Sequence, residues 1–152
     1  MSFSMDASVI VKWFKKGEEK EDYALKLKNL ILSRRIVPIV NEYVFLEIIR
    51  ALKKAGYPDK KIINTKSFLV DLETLGYIKI VRVHEVRDLA MDLIRILNLY
   101  ASDSLVLATA LSKNIDLITE DRHILKKKVI EYAHERGIRI LTLDELRTVF
   151  SF

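Results

Sequence analysis

Residues 103–141 read DSLVLATALSKNIDLITEDRHILKKKVIEYAHERGIRIL. The stretch divides into a helix over Asp103–Lys113, a β-branched strand over Ile115–Thr119, a helix over Arg122–Arg136, then Gly137 and a strand over Ile138–Leu141. Strands alternating with helices across short joints are βα units, because parallel neighbours need a helical crossover. The predicted fold class is therefore α/β, a three-layer sandwich around a mostly parallel sheet of about four or five strands.

The same alternation extends towards the N-terminus. Strands are expected at Phe3–Met5, at Ile36–Val37 ending at Pro38, and at Tyr77–Val83. Helices are expected at Val9–Phe14, Glu19–Ser33, Asn41–Ala55 with Asn41 as N-cap, from Pro58 to Leu75, at Val86–Leu97 and at Asp144–Phe150. Gly56, Gly76 and Gly137 follow three of these helices, where positive φ closes the last turn. No linker or repeat interrupts the pattern, so residues 1–152 read as one domain.

Half of the 152 residues are hydrophobic and 31% are charged, which excludes a disordered chain and permits a sizeable core. The absence of cysteine excludes a disulfide scaffold, thiolate catalysis and cysteine-based zinc sites. No apolar run approaches the roughly 20 residues of a membrane span, and no basic-then-apolar leader opens the chain. A cytoplasmic protein without a membrane partner is expected. The net charge of +5 permits, without requiring, a polyanionic partner.

Parallel α/β sheets bind ligands beyond the carboxyl ends of their strands. Asp6 follows the first expected strand, Asp121 follows the strand ending at Thr119, and Asp103 opens a helix after the turn at Asn98–Ser102. Each stands near a helix start, where a carboxylate also serves as a cap. Asp103 aligns with Val106, Leu107, Ala110 and Leu111, so it heads an apolar stripe, an unfavourable place for an unpaired charge. Glu47 borders the buried face of its helix through Val44, Ile48 and Ala51; the alternative is a surface ion pair with Arg50 or Lys54. Four acids converging on one edge would raise each other's pKa, a penalty that Mg²⁺ or Mn²⁺ relieves. One or two such ions, about 3.5–4 Å apart when paired, suit phosphodiester hydrolysis.

These residues lie in stretches that resemble one family. Residues 5–14 (MDASVIVKWF), 41–47 (NEYVFLE), 101–110 (ASDSLVLATA) and 117–122 (LITEDR) resemble, in order, the four motifs of PIN-domain proteins, especially VapC-type toxins; residues 137–143 resemble their closing strand. The resemblance implies a Mg²⁺- or Mn²⁺-dependent endoribonuclease, often a homodimer, neutralised by a small antitoxin. By position, Asp6, Glu47, Asp103 and Asp121 would be the catalytic, metal-binding acids, with Ser8 and Thr119 as hydroxyls that hold them. Glu120 competes with Asp121, which the motif favours, and Glu42 competes with Glu47, although its place in a first helical turn suits dipole pairing. Arg50 and Lys54 follow Glu47 on one helix face and are candidate contacts for RNA phosphates.

Other residues read as structural. His84, His123 and His134 lack metal-ligand spacing, Trp13 and Phe14 suit packing, and Lys126–Lys128 suits a solvated helix face. Alternatives are an RNA-processing nuclease with no toxin role, an inactive PIN-like binding module, and a signalling receiver domain. The last usually carries an acidic pair after its first strand, whereas Asp6 is followed by Ala7 and Ser8.

Overall fold

The computed structural model describes residues 1–151. Strands β1 (Ser4–Met5), β2 (Ile39–Asn41), β3 (Lys79–Val81), β4 (Leu117–Ile118) and β5 (Ile140–Leu141) form a wholly parallel sheet in the order β3-β2-β1-β4-β5. Ser4 lies opposite both Ile39 and Leu117, which fixes the centre of the sheet. The strands are short and mostly buried, as expected of parallel strands covered on both faces.

The helices are α1 (Ala7–Ile10, continued by a 3₁₀ turn over Val11–Trp13), α2 (Glu21–Leu32), α3 (Tyr43–Lys54), α4 (Asp59–Thr74), α5 (Val83–Leu97), α6 (Ala101–Lys113), α7 (Lys127–Glu135) and α8 (Leu143–Phe150). The chain steps outward from β1 to β3, returns through α5 and α6 to β4 on the other side of β1, and then steps outward to β5, which α8 follows. Because parallel crossovers are right-handed, this reversal sends the connections before and after it to opposite faces. It also leaves a crevice between the carboxyl ends of β1 and β4.

Helix α6 is the core element. Residues 103–110 are all buried, and the helix packs on β1, β2 and α5. A helix apolar all round belongs inside a protein. Its buried hydroxyls are satisfied: Thr109 Oγ1 donates to the Leu105 carbonyl at 2.8 Å and accepts from Asn41 Nδ2 at 3.1 Å. Among the described residues no single helix is long and apolar enough to cross a membrane; α5 and α6 together pass that test but are bent by 116°.

Four local expectations need correction. The second strand runs from Ile39, after Pro38, and not over Ile36–Val37. Ile36 instead closes α2: its N–H reaches the Leu30 carbonyl at 3.3 Å behind Arg34, whose φ of 61° reverses the chain. The Pro38 ring is tolerated because it precedes the strand. Helix α7 starts at Lys127, five residues later than Arg122, because Asp121 holds the intervening turn. Its Oδ1 accepts from the His123 N–H at 2.7 Å, and its carbonyl accepts from Ile124 and Leu125. A side chain that captures nearby backbone donors competes with helix formation.

Asn41 ends β2 instead of standing as the N-cap, although its Oδ1 still accepts from the Tyr43 N–H at 3.0 Å. Glu42 then pairs with a different helix from the one expected: its Oε1 accepts from the Val83 N–H at the start of α5, at 3.0 Å. Asn41 thus ties β2, α3 and α6 together while only 1% exposed. Asn41→Ala should destabilise the fold by about 2 kcal/mol through two lost hydrogen bonds. Urea unfolding would measure this, and an unchanged midpoint would refute that role.

Candidate active site at the switch point of the sheet

The crevice between β1 and β4 collects acids from four chain segments. Asp6 follows β1 directly and is 4% exposed. Its Oδ1 accepts from the Ser8 backbone N–H at 3.0 Å and from the Ser8 hydroxyl at 2.5 Å, and its Oδ2 accepts from Thr119 Oγ1 at 2.7 Å. Thr119 follows β4, so this bond spans the switch point. Thr119 Oγ1 also accepts from the Asp121 N–H at 3.0 Å, and Ser8 Oγ accepts from the Glu120 N–H at 2.9 Å. Two hydroxyls thereby fix the end of β4 against the carboxylate that follows β1.

The other acids arrive from helices and from a turn. Asp103, in the first turn of α6, is 6% exposed, while Glu47, mid-way along α3, and Asp121 are partly buried. Burial is the largest cause pushing Asp6 up to about 6; repulsion from Asp121 adds to it, and the Ser8 and Thr119 hydrogen bonds oppose it. Burial, then the charges of Asp6 and Asp121, push Glu47 up to about 7, against a hydrogen bond from the Ser102 side chain. Asp103 is pushed up to about 7 by burial, then by the charges of Asp121, Asp6 and Glu47, and last by a side-chain hydrogen bond with Asp121. The four carboxyls therefore lie within mutual electrostatic range.

Glu120 takes no part in that group. Its carboxylate receives Lys20 Nζ at 3.2 Å and the Leu143 N–H at 3.0 Å, and Lys20 also reaches Asp144 at 2.8 Å. It anchors α8 to the end of β4, whereas Asp121 faces the other acids. Arg50 and Lys54 are exposed on α3, and among the described residues neither forms an ion pair with Glu47. Arg50 shares an open groove of about 530 Å³ with Tyr43, Leu46, Glu47 and Ala51; Lys54 does not line it. Trp13 and Phe14 are buried in the core, where Phe14 meets Phe68 edge-on.

Sequence reasoning missed Ser102 as the partner of Glu47, and nothing in the spacing signals it, since α3 and α6 meet only through tertiary packing. The donor set suits a hard dication: all ligating atoms are oxygens, and burial and mutual repulsion make their ionised forms costly. As the side chains stand, no group of three or more Asp, Glu or His among the described residues is arranged to coordinate an ion. The fit is one of chemistry and proximity.

The PIN-domain family model matches residues 5–130. The chain belongs to the PIN-domain family. Solved structures of the same fold include FitAB bound to an IR36 DNA fragment, at TM-score 0.65 and 14% identity over 94% of this chain and 95% of that one. VapBC2 from Rickettsia felis, bound to a DNA fragment from their promoter, matches at 0.61 and 16% over 93% and 98%. The sarcin–ricin-loop-cleaving toxin VapC20 from Mycobacterium tuberculosis matches at 0.59 and 16% over 76% and 86%. No curated protein matches by sequence. At such identities the likeness is one of fold, and the acids of this PIN domain are weighed on their own geometry.

Raised carboxyl pKa values make the cation-free PIN domain lose stability as pH rises. Between the unfolded value near 4 and the folded value near 6–7, the folded state holds protons that the unfolded state has released. For the deeply buried Asp6, a rise from 3.8 to about 6 corresponds to about 3 kcal/mol, all of it lost above the folded pKa. In EDTA, Asp103→Asn should therefore melt above the parent protein near neutral pH, with the gap narrowing towards about pH 5. Calorimetry checks this; a variant that melts lower at neutral pH would contradict the repulsion.

Proposed function

We propose that this PIN domain is a divalent-metal-dependent endoribonuclease that hydrolyses RNA phosphodiester bonds as the toxin of a toxin–antitoxin pair. One observation carries the reading: four carboxyls from separate segments meet at the carboxyl edge of the sheet, and three of them are driven towards neutrality. A purely structural role would not gather like charges at such a cost, since an apolar cluster in the same place is cheaper.

In this reading Asp6, Glu47, Asp103 and Asp121 hold Mg²⁺ or Mn²⁺. The cation supplies Lewis-acid activation and neutralises charge that builds up on phosphodiester oxygens. The chain's own residues do the rest. Ser8 and Thr119 fix Asp6 and keep both of its oxygens oriented; Ser102 steadies Glu47. Arg50, beside Glu47 in the groove, and Lys54, one turn farther along α3, receive phosphates of the RNA strand and set its register without reading its bases. The positive net charge assists the approach of a polyanion to an otherwise acidic pocket.

The toxin assignment is supported by the neighbours, which include a toxin–antitoxin complex from Klebsiella pneumoniae and a toxin that cleaves the sarcin–ricin loop. By that analogy the partners are RNA and a cognate small antitoxin; a second copy of the chain in a homodimer, and action in the cytoplasm, complete the proposal from the sequence reading alone.

A panel of defined RNAs incubated with Mg²⁺, Mn²⁺ or EDTA tests the proposal. Cleavage should require the cation and should vanish in Asp103→Asn while the fold persists. Thr119→Val, which frees Asp6 from one of its holding bonds, should lower the rate about 10–100-fold. Expression should arrest growth for the parent chain alone. Full cleavage by Asp103→Asn, or undiminished cleavage in EDTA, would refute it.

A further inference from the structure

Beside the acidic cluster lies a cleft of about 210 Å³ lined by Asn98, Leu99, Tyr100, His123 and Lys126. At about 30 Å³ per water that is room for about seven waters, the scale of one flat heterocycle and far below that of a polymer. Its two walls are extensions of the acidic site: Tyr100 immediately precedes α6, whose first turn carries Asp103, and the His123 N–H donates to Asp121.

Tyr100 is not explained by the fold. It occupies the N-cap of α6, a position that favours Ser, Thr, Asp or Asn, and its side chain makes no capping bond. Its ring meets His123 edge-on at 5.0 Å, yet 64% of the residue is exposed. Lys126, at the other end of the cleft, is exposed and makes no ion pair among the described residues. The turn over residues 122–126, which replaces the expected first turns of α7, is what brings His123 and Lys126 to this cleft.

We propose that Tyr100, His123 and Lys126 form a nucleotide subsite flanking the acidic cluster, in which one unstacked base of single-stranded RNA lies on the exposed ring of Tyr100 and an adjoining phosphate meets Lys126. The proposal rests on the nuclease reading and adds to it the form of the substrate. The physical reason for such a subsite is the pocket's own charge. Four carboxyls repel a polyanion, so the strand must be held from outside them by contacts that acids do not weaken. Base–aromatic stacking is such a contact, and it tolerates every base because each has a π-face. His123, packed against one part of the ring, limits the rotamers of Tyr100 and keeps its free surface presented.

The test uses Asp103→Asn protein, expected to bind without cutting, and fluorescence anisotropy with two labelled probes: the 12-mer A12 RNA and an abasic ribose-phosphate strand of the same length. Tyr100→Leu should weaken A12 binding about tenfold and leave the abasic strand within about twofold. Tyr100→Phe should match the parent for both probes. Lys126→Gln should weaken both and reduce the salt slope by about one. Unchanged A12 binding in Tyr100→Leu, an equal loss on both probes, or failure of the Asp103→Asn protein to bind A12 would overturn the subsite. The cleavage assay of the parent chain separates the two ideas: a parent chain that cleaves no RNA refutes the nuclease reading and the subsite together, whereas cleavage with an indifferent Tyr100 refutes the subsite alone.

Discussion

The carboxyl edge of this PIN domain depends on repulsion among four acids, two of them almost completely shielded from water. Asp6 and Asp103 are almost completely buried, and Glu47 and Asp121 complete the group from the rim. In bulk water such charges would be screened from one another by the solvent; with burial, each carboxyl makes its neighbours harder to ionise. The arrangement is unfavourable to folding and is maintained by the rigidity of what surrounds it. Sites of chemistry are commonly built in this way, with stability surrendered locally to hold a reactive constellation in place.

The scaffold that holds the acids is the topological switch. Because the strand order reverses between β1 and β4, two chain ends diverge there and open a crevice that no crossover covers. The residues following each strand face one another across it. Ser8 and Thr119 join the two lips through the Asp6 carboxylate, and α6, buried over residues 103–110, delivers Asp103 to the same crevice. Asn41 plays the corresponding part farther along the sheet, fastening the end of β2 to α6 and to the start of α3, the helix that carries Glu47. The acids are therefore carried on a strand end, two helices and a tight turn rather than on long loops, which restricts how far each carboxyl can retreat from the others.

Much of this was legible in the sequence, for reasons that differ by residue. Asp6 and Asp103 are candidates in the sequence, one because it follows a strand and the other because it heads an apolar stripe; a helix cap is the alternative for each, and Asp6 does cap α1 by accepting from the Ser8 N–H. The five-stranded parallel sheet follows from strands separated by helix-length periodic segments. Boundaries were less legible: Ile36 looks like a strand residue because it is β-branched and apolar, yet its N–H belongs to the end of α2. The start of α7 was hidden because the Asp121 side chain takes backbone donors that periodicity assigns to a helix. Glu120 and Asp121 could not be separated by alternation, since the strand ends before both; the decision comes from Lys20 and α8, which are remote in sequence. The partnership of Ser102 with Glu47, and the cleft walls at Tyr100 and His123, arise only where α3, α6 and the turn before α7 pack together.

These carboxyls share one poorly solvated field. Carboxyl-carbon NMR of labelled aspartate and glutamate, followed through a pH titration in EDTA and again with Mg²⁺, reads that field directly. The account predicts Asp6 titrating near 6 and Glu47 and Asp103 near 7 without cation, each falling when Mg²⁺ is added, and Glu47 falling in Asp103→Asn protein. Carboxyls that titrate near 4, indifferent to one another and to Mg²⁺, would contradict it.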